Sequence, residues 1–243
     1  MRIEARELRV VRGGHVAVNN VSFAVEGASW TGLVGANGSG KTSLLRALAG
    51  RLETAEGAIL IDGVDRTKDR AWRAKTIGFA ADASALPESL SGRELFAVMG
   101  GDEAGRTSAD PLGGLRRALA FEPFIDQRIG TLSQGMRQRL AIFSAFLARP
   151  SAVLLDEPFS WLDPISAFDT KAALMGLVAQ GLTLMTALHD MASLVRQCGA
   201  GLLLSEGRIS HRLDKAEIEA GRRDFAGFEA RMIAALRGGR PRG

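Results

Sequence analysis

One stretch constrains this chain more than any other. Gly35-Ala36-Asn37-Gly38-Ser39-Gly40-Lys41-Thr42 fits G-x-x-x-x-G-K-[ST] and stands between an apolar run, Trp30 to Val34, and a helix-forming stretch, Ser43 to Ala49. Glycines let backbone N–H groups converge on phosphate oxygens, and the helix that follows aims its positive end at the same anion. Lys41 supplies a mobile charge for β- and γ-phosphates, and Thr42 a hydroxyl for Mg²⁺, which prefers oxygen ligands. Such a loop needs a strand before it and a helix after it, so the fold is expected to be α/β.

The rest of the 243 residues agrees with that demand. Strand-like runs at Glu7 to Val11 and Val21 to Val25 flank the turn Arg12-Gly13-Gly14, and Ala58 to Ile61 precedes the turn Asp62-Gly63. Ile77 to Ala80 reads as a shorter strand. Pro87 to Arg128 is mostly helical, broken by a Gly-, Ser-, Asp- and Pro-containing loop over 100–114. A helix is predicted over 134–148, ended by Pro150. Strand Ala152 to Leu155, helix 165–179, strand 182–187, helix 190–197 and strand 201–204 follow, with a hairpin at Glu206-Gly207. Alternating strands and helices imply a largely parallel, covered sheet in one folded unit with a helical insertion.

In such a sheet, ligands gather at the carboxyl ends of the strands. Asp156 and Glu157 end one apolar strand, and His189 ends another. Asp156 is therefore a candidate Mg²⁺ ligand, and Glu157 a candidate for orienting or deprotonating an attacking water. His189 is placed to donate to a γ-phosphate, whereas His15 and His211 are expected to be surface or core-edge residues. Ser133 is a good N-cap for the helix that begins Gln134-Gly135-Met136, whose free N–H groups make a second anion site. Two phosphate-binding ends exceed what one nucleotide needs, unless they face each other across a dimer.

Composition narrows the setting. Mean hydropathy is +0.05, and no apolar run approaches the roughly 18 residues of a membrane span. Met1 to Val10 alternates charged and apolar residues and lacks the apolar stretch of a secretion signal. The single cysteine, Cys198, cannot form an internal disulfide framework or a cysteine-based metal cluster. The net charge of +4 is carried by Arg208 to Gly243, with nine Lys/Arg against five Asp/Glu. A solvated helix with an Arg-rich end accounts for that balance, and no nucleic-acid partner is expected. Phe225, Phe228, Met232, Ile233 and Leu236 lie at helical spacing in this tail.

Taken in order, the Lys41 loop, Ser133-Gln134-Gly135-Met136, Asp156-Glu157, Ser160-Trp161-Leu162-Asp163 and His189 resemble the ATP-binding cassette (ABC) ATPases over about residues 3 to 210. The resemblance implies an ATPase domain over 1–210, with an antiparallel β part at its start and a helical subdomain near 83–148. A short helical, basic tail, 211–243, would follow. It implies ATP and Mg²⁺ as ligands, with Gly35 to Ser43 on the nucleotide and Glu157 as catalytic base. His189 would sense the γ-phosphate. It also implies a head-to-tail pair of cassettes, homologous or identical, in which Ser133 to Met136 cover the partner's ATP and Asp163 lies in the loop joining the two sites. The expected partner is a transmembrane permease, which would hold the chain on the cytoplasmic face of the inner membrane and choose the substrate.

Three positions depart from the family pattern. Asp82 stands where a Gln usually contacts Mg²⁺ and follows the membrane partner. Arg12 aligns with the aromatic residue that stacks on adenine, a task a guanidinium also performs. Trp161 replaces a small residue at the expected dimer surface, as an anchor or a clash. Met136 resembles the signature of exporter subunits of the ABC-2 type, where importers more often have Gln. Two alternatives stay open. One is a soluble cassette such as an iron–sulfur assembly ATPase, whose signature usually has Glu there; the other is a low-turnover nucleotide switch.

Overall fold

The computed structural model describes residues 1–80, 83–100 and 110–238. Two sheets organise it. Strands β1 (Ile3–Arg12), β2 (His15–Val25), β4 (Glu56–Ile61) and β5 (Val64–Asp65) form an antiparallel sheet in the order β2-β1-β4-β5. The second sheet has the order β10-β9-β3-β8-β7-β6, where β3 is Trp30–Val34, β6 Ile77–Ala80, β7 Ala152–Asp156, β8 Thr183–Leu188, β9 Ala200–Ser205 and β10 Arg208–Leu213. Its five strands from β9 to β6 run parallel, and β10 closes the edge antiparallel.

β3, β7 and β8 are buried at every position, as the continuous apolar runs require of strands covered on both faces. Their side chains alternate between two cores. Val34, Val153, Leu155 and Leu184 face one, while Leu33, Leu154, Met185 and Ala187 face the other. The second core holds the antiparallel sheet and α1 (Lys41–Leu48). The first holds the helices on the far side.

Between β6 and β7 lie α3 (Gly92–Val98), α4 (Gly113–Leu119) and α5 (Gln134–Ser144), with α2 (Arg70–Thr76) preceding β6. Phe96, Phe121 and Phe143 stack among these helices with ring centroids 4.7–5.4 Å apart. α3 starts at a capping box of Ser91 and Glu94. α5 ends at Ser144, short of the expected 148. From Ala145 to Leu147 each N–H bonds three residues back instead of four, and the Ser144 hydroxyl donates to the Ala141 carbonyl.

α6 (Pro164–Ala179) and α7 (Met191–Gln197) cover the same face. α8 (Lys215–Arg223), which periodicity did not reveal, and α9 (Phe225–Gly238) complete the chain. α9 buries Phe228 and Met232. It also leaves a cavity of about 310 Å³ against the phosphate loop, lined by Ala36, Asn37, Ser205, Glu206, Ile233 and Leu236 among others. No described helix is long and apolar enough to cross a membrane.

Candidate functional site

The loop from Gly35 to Gly40 leaves β3 and enters α1, whose N-cap is Gly40. Gly40 has φ 105, and a Cβ there would lie 2.2 Å from the Ala17 carbonyl, so only glycine lets the loop pass under β2. Lys41, 4% exposed, folds back on its own loop. Its Nζ donates to the Gly35 carbonyl at 2.7 Å and the Ala36 carbonyl at 3.2 Å. These are neutral acceptors, which phosphate oxygens would outcompete. Burial lowers the Lys41 pKa, and the Glu157 and Asp156 carboxylates oppose that shift.

A cleft of about 560 Å³ lies over this loop. Arg12, Asn37 to Ser43 and Glu157 line it, so β1, the loop, α1 and the end of β7 meet there. His15 and Val16 also line it. Sequence reasoning placed His15 outside any site; its position follows from the tight Arg12–His15 hairpin, which carries both residues to the rim.

The two carboxylates differ sharply. Asp156 is 8% exposed and has an Oδ1 that is buried without a partner. Burial raises its pKa, a shift the Thr42 hydroxyl partly offsets. A desolvated carboxylate oxygen next to a hydroxyl is a hard-oxygen donor set of the kind that suits Mg²⁺. Among the described residues no group of three His, Cys, Asp or Glu gathers as a self-sufficient metal site, so phosphate and water oxygens would complete the shell.

Glu157 sits in the left-handed region at φ 51, a conformation costing a non-glycine residue about 1–2 kcal/mol. That twist carries its side chain off the strand. Its Oε1 lies 3.8 Å from Lys41 Nζ, and its Oε2 lies 2.6 Å from His189 Nε2. β7 and β8 are hydrogen-bonded neighbours in the sheet, which is why the residues at their ends meet.

The remaining candidates lie elsewhere. Ser133 caps α5, its hydroxyl accepting from the Met136 N–H at 3.3 Å, and neither it nor Gln134, Gly135 or Met136 lines the cleft. Asp163 caps α6 by accepting from the Ile165 and Ser166 N–H groups, and pairs with Arg139 of α5 at 3.0 Å. Hydrogen bonds from Ser166 foremost, with Arg139 adding to them, hold its pKa down at about 2. Trp161, exposed, precedes it. Asp82 lies outside the described residues.

A glycine-rich loop of the phosphate-binding pattern thus faces a strand-end carboxylate pair and a histidine, and comparison with known proteins decides the family. The family model described as "ABC transporter" matches residues 18–160. The chain belongs to the ABC transporter family. It hydrolyses ATP, as that family's ATPase domain does. This ABC chain is 30% identical over 226 residues to the Nod factor export ATP-binding protein I of Cupriavidus metallidurans, covering 89% of this chain and 74% of the relative. It is 31% identical over 217 residues to the Phosphonates import ATP-binding protein PhnC of Rhodopseudomonas palustris, covering 81% and 78%. Its fold matches the solved structure of an ATP-binding subunit of an ABC transporter with a TM-score of 0.80 at 24% identity, covering 97% of this ABC chain and 99% of that one.

Proposed function

We propose that this chain is the ATP-hydrolysing subunit of an exporter. It closes head to tail on a second cassette over two ATP molecules and drives a separate transmembrane permease from the cytoplasmic face of the inner membrane. The observation that carries the reading is the Glu157 carboxylate held between Lys41 and His189 at the edge of the cleft. Export is supported by Met136, and a Nod factor export ATP-binding protein is among the similar proteins.

In this reading residues 1–210 are the ATPase domain, with 83–148 as its helical subdomain and 211–243 as a tail. The N–H groups of Gly35 to Ser43 cradle the phosphates, and Lys41 Nζ exchanges the Gly35 and Ala36 carbonyls for β- and γ-oxygens. Thr42 and Asp156 would hold Mg²⁺, whose charge would offset that developing on the phosphates; Asp82 is a further candidate ligand. Arg12 lies against the base.

Once His189 Nε2 turns from Glu157 to a γ-phosphate oxygen, the freed carboxylate accepts a proton from water. The water oxygen then bonds to the γ-phosphorus as the bond to the β–γ bridging oxygen breaks. Ser133 to Met136 cap the partner's ATP, and Asp163 steadies the loop between the two sites.

The test is steady-state ATPase activity of the wild type beside Glu157→Gln, each sized by light scattering with ATP and Mg²⁺. The expected result is turnover in the wild type and, in the variant, a loss of about 100-fold or more together with an ATP-dependent dimer. A variant that keeps wild-type turnover would remove Glu157 from its role, and one that stays monomeric under saturating ATP would count against the composite site.

A further inference from the structure

Arg73 is a wholly buried arginine, 0% exposed, and belongs to none of the motifs above. It projects from α2 onto main-chain carbonyls alone. Nε donates to the Leu48 carbonyl at 3.2 Å and Nη2 to the Ala47 carbonyl at 3.2 Å. Nη1 donates to the Thr67 carbonyl at 2.7 Å and to that of Arg66. Among the described residues no carboxylate lies within ion-pair distance of it. An arginine buried without a carboxylate is costly. Burial lowers its pKa accordingly.

The place where that cost is borne is informative. Ala47 and Leu48 end α1, the helix whose first residue is Lys41. The last carbonyls of a helix are its negative end, where a cation is favoured. With eight residues α1 is about 12 Å long, so the Arg73 charge sits one short helix behind the phosphate loop. It also adds to the positive potential at the helix N-terminus. Two flanking bonds stitch the same segments, from Arg70 Nε to the Gly50 carbonyl at 3.4 Å and from Arg51 Nη2 to the Ala74 carbonyl at 3.1 Å. α2 runs directly into β6, and β6 pairs with β7 up to Ala80–Leu155, one residue before Asp156.

We propose that Arg73 is a positioning residue for ATP hydrolysis, clamping the rear of the phosphate-loop helix to the 66–67 turn and to the segment that enters β6. It touches no nucleotide. Its guanidinium fixes where α1 points its N–H groups and Lys41, and a fork reaching four carbonyls at once does what a lysine cannot.

The experiment compares Arg73→Lys and Arg73→Met with the wild type. Thermal midpoint, ATP Kd by fluorescence titration with Mg²⁺, and kcat at saturating ATP are each normalised to folded protein. Arg73→Met is expected to weaken ATP binding by about five-fold, the size of one helix-end charge interaction, and to lower kcat as well. Arg73→Lys, which keeps the charge and loses the fork, is expected to recover most of the binding and only part of kcat. A residue that merely supports the fold would lower the midpoint and leave Kd and kcat per folded molecule unchanged. That result in either variant overturns the proposal. If Arg73→Met does not fold, Arg73→Lys alone decides, since wild-type kcat there removes any need for the fork.

Discussion

Gly135, in the first turn of α5, lies against the main-chain carbonyl of Trp161 so closely that a methyl group built on it would stand 2.7 Å from that oxygen. Two motifs separated by 26 positions are thereby packed as one surface, α5 carrying Ser133 and the loop carrying Asp163. Gly135→Ala is expected to push the 160–163 loop outward at a cost of about 1–3 kcal/mol. ATP binding to the monomer should persist, because Gly135 lies outside the cleft. ATP-driven dimerisation of the Glu157→Gln background should weaken about ten-fold or more, read by light scattering across a protein dilution series.

Asp156 predicts opposite signs for stability and catalysis. Its pKa is raised by burial, so the ionised form penalises folding. The penalty is absent below the unfolded-state pKa, grows as pH rises toward the folded-state value, and is complete above it. Asp156→Asn is therefore expected to stabilise the nucleotide-free protein at neutral pH, by about 2–4 °C if the gain is near 1 kcal/mol. ATPase activity should nevertheless fall by about 100-fold if, as proposed, this carboxylate holds Mg²⁺. Thermal melts at pH 7 and pH 4 check the first half, since the difference should shrink at the lower pH.

Asp163 behaves the other way. With its folded pKa depressed to about 2, it contributes stability that is present above the unfolded carboxylate pKa and is lost as pH falls from 4 toward 2. Asp163→Ala should unfold at lower urea than the wild type at pH 7, and the two curves should converge by about pH 2. A gap that persists undiminished at the acid end would mean that the cap geometry, rather than the charge, carries the contribution.

Arg12 sits at the lip of the cleft and is exposed. Arg12→Tyr is expected to tighten ATP binding by about three-fold or more relative to Arg12→Ala, since a planar ring stacks on adenine and a methyl group does not. Titrations with ATP and GTP side by side measure the gain, and an equal gain for both would show stacking without base choice.

The parts of this site that sequence revealed are those made by short, contiguous stretches. Lys41 and Asp156 announce themselves because a phosphate loop and a carboxylate-tipped strand each need a fixed local order of residues. The sheet was legible for the same reason, through the apolar runs of β3, β7 and β8. What stayed hidden depends on approach across the chain. His15 gave no signal, because only the hairpin with Arg12 brings it to the rim. Arg73 gave no signal either, because only the placement of α2 across the end of α1 buries it. α8, with only Ile218 and Gly221 buried, has too few apolar residues to mark its bounds inside the helical tail, and α5 stops early through the Ser144 hydroxyl, a competition that periodicity does not register.

The cavity beside the phosphate loop has a practical consequence. One wall is the loop itself, which every cassette of the family must keep in nearly the same shape to hold phosphates. The other wall, with Ile233 and Leu236, belongs to α9, outside the residues 18–160 that the family model matches. A small molecule shaped to span both walls would touch the phosphate loop and α9 at once, tying occupancy of the nucleotide site to the seating of that helix.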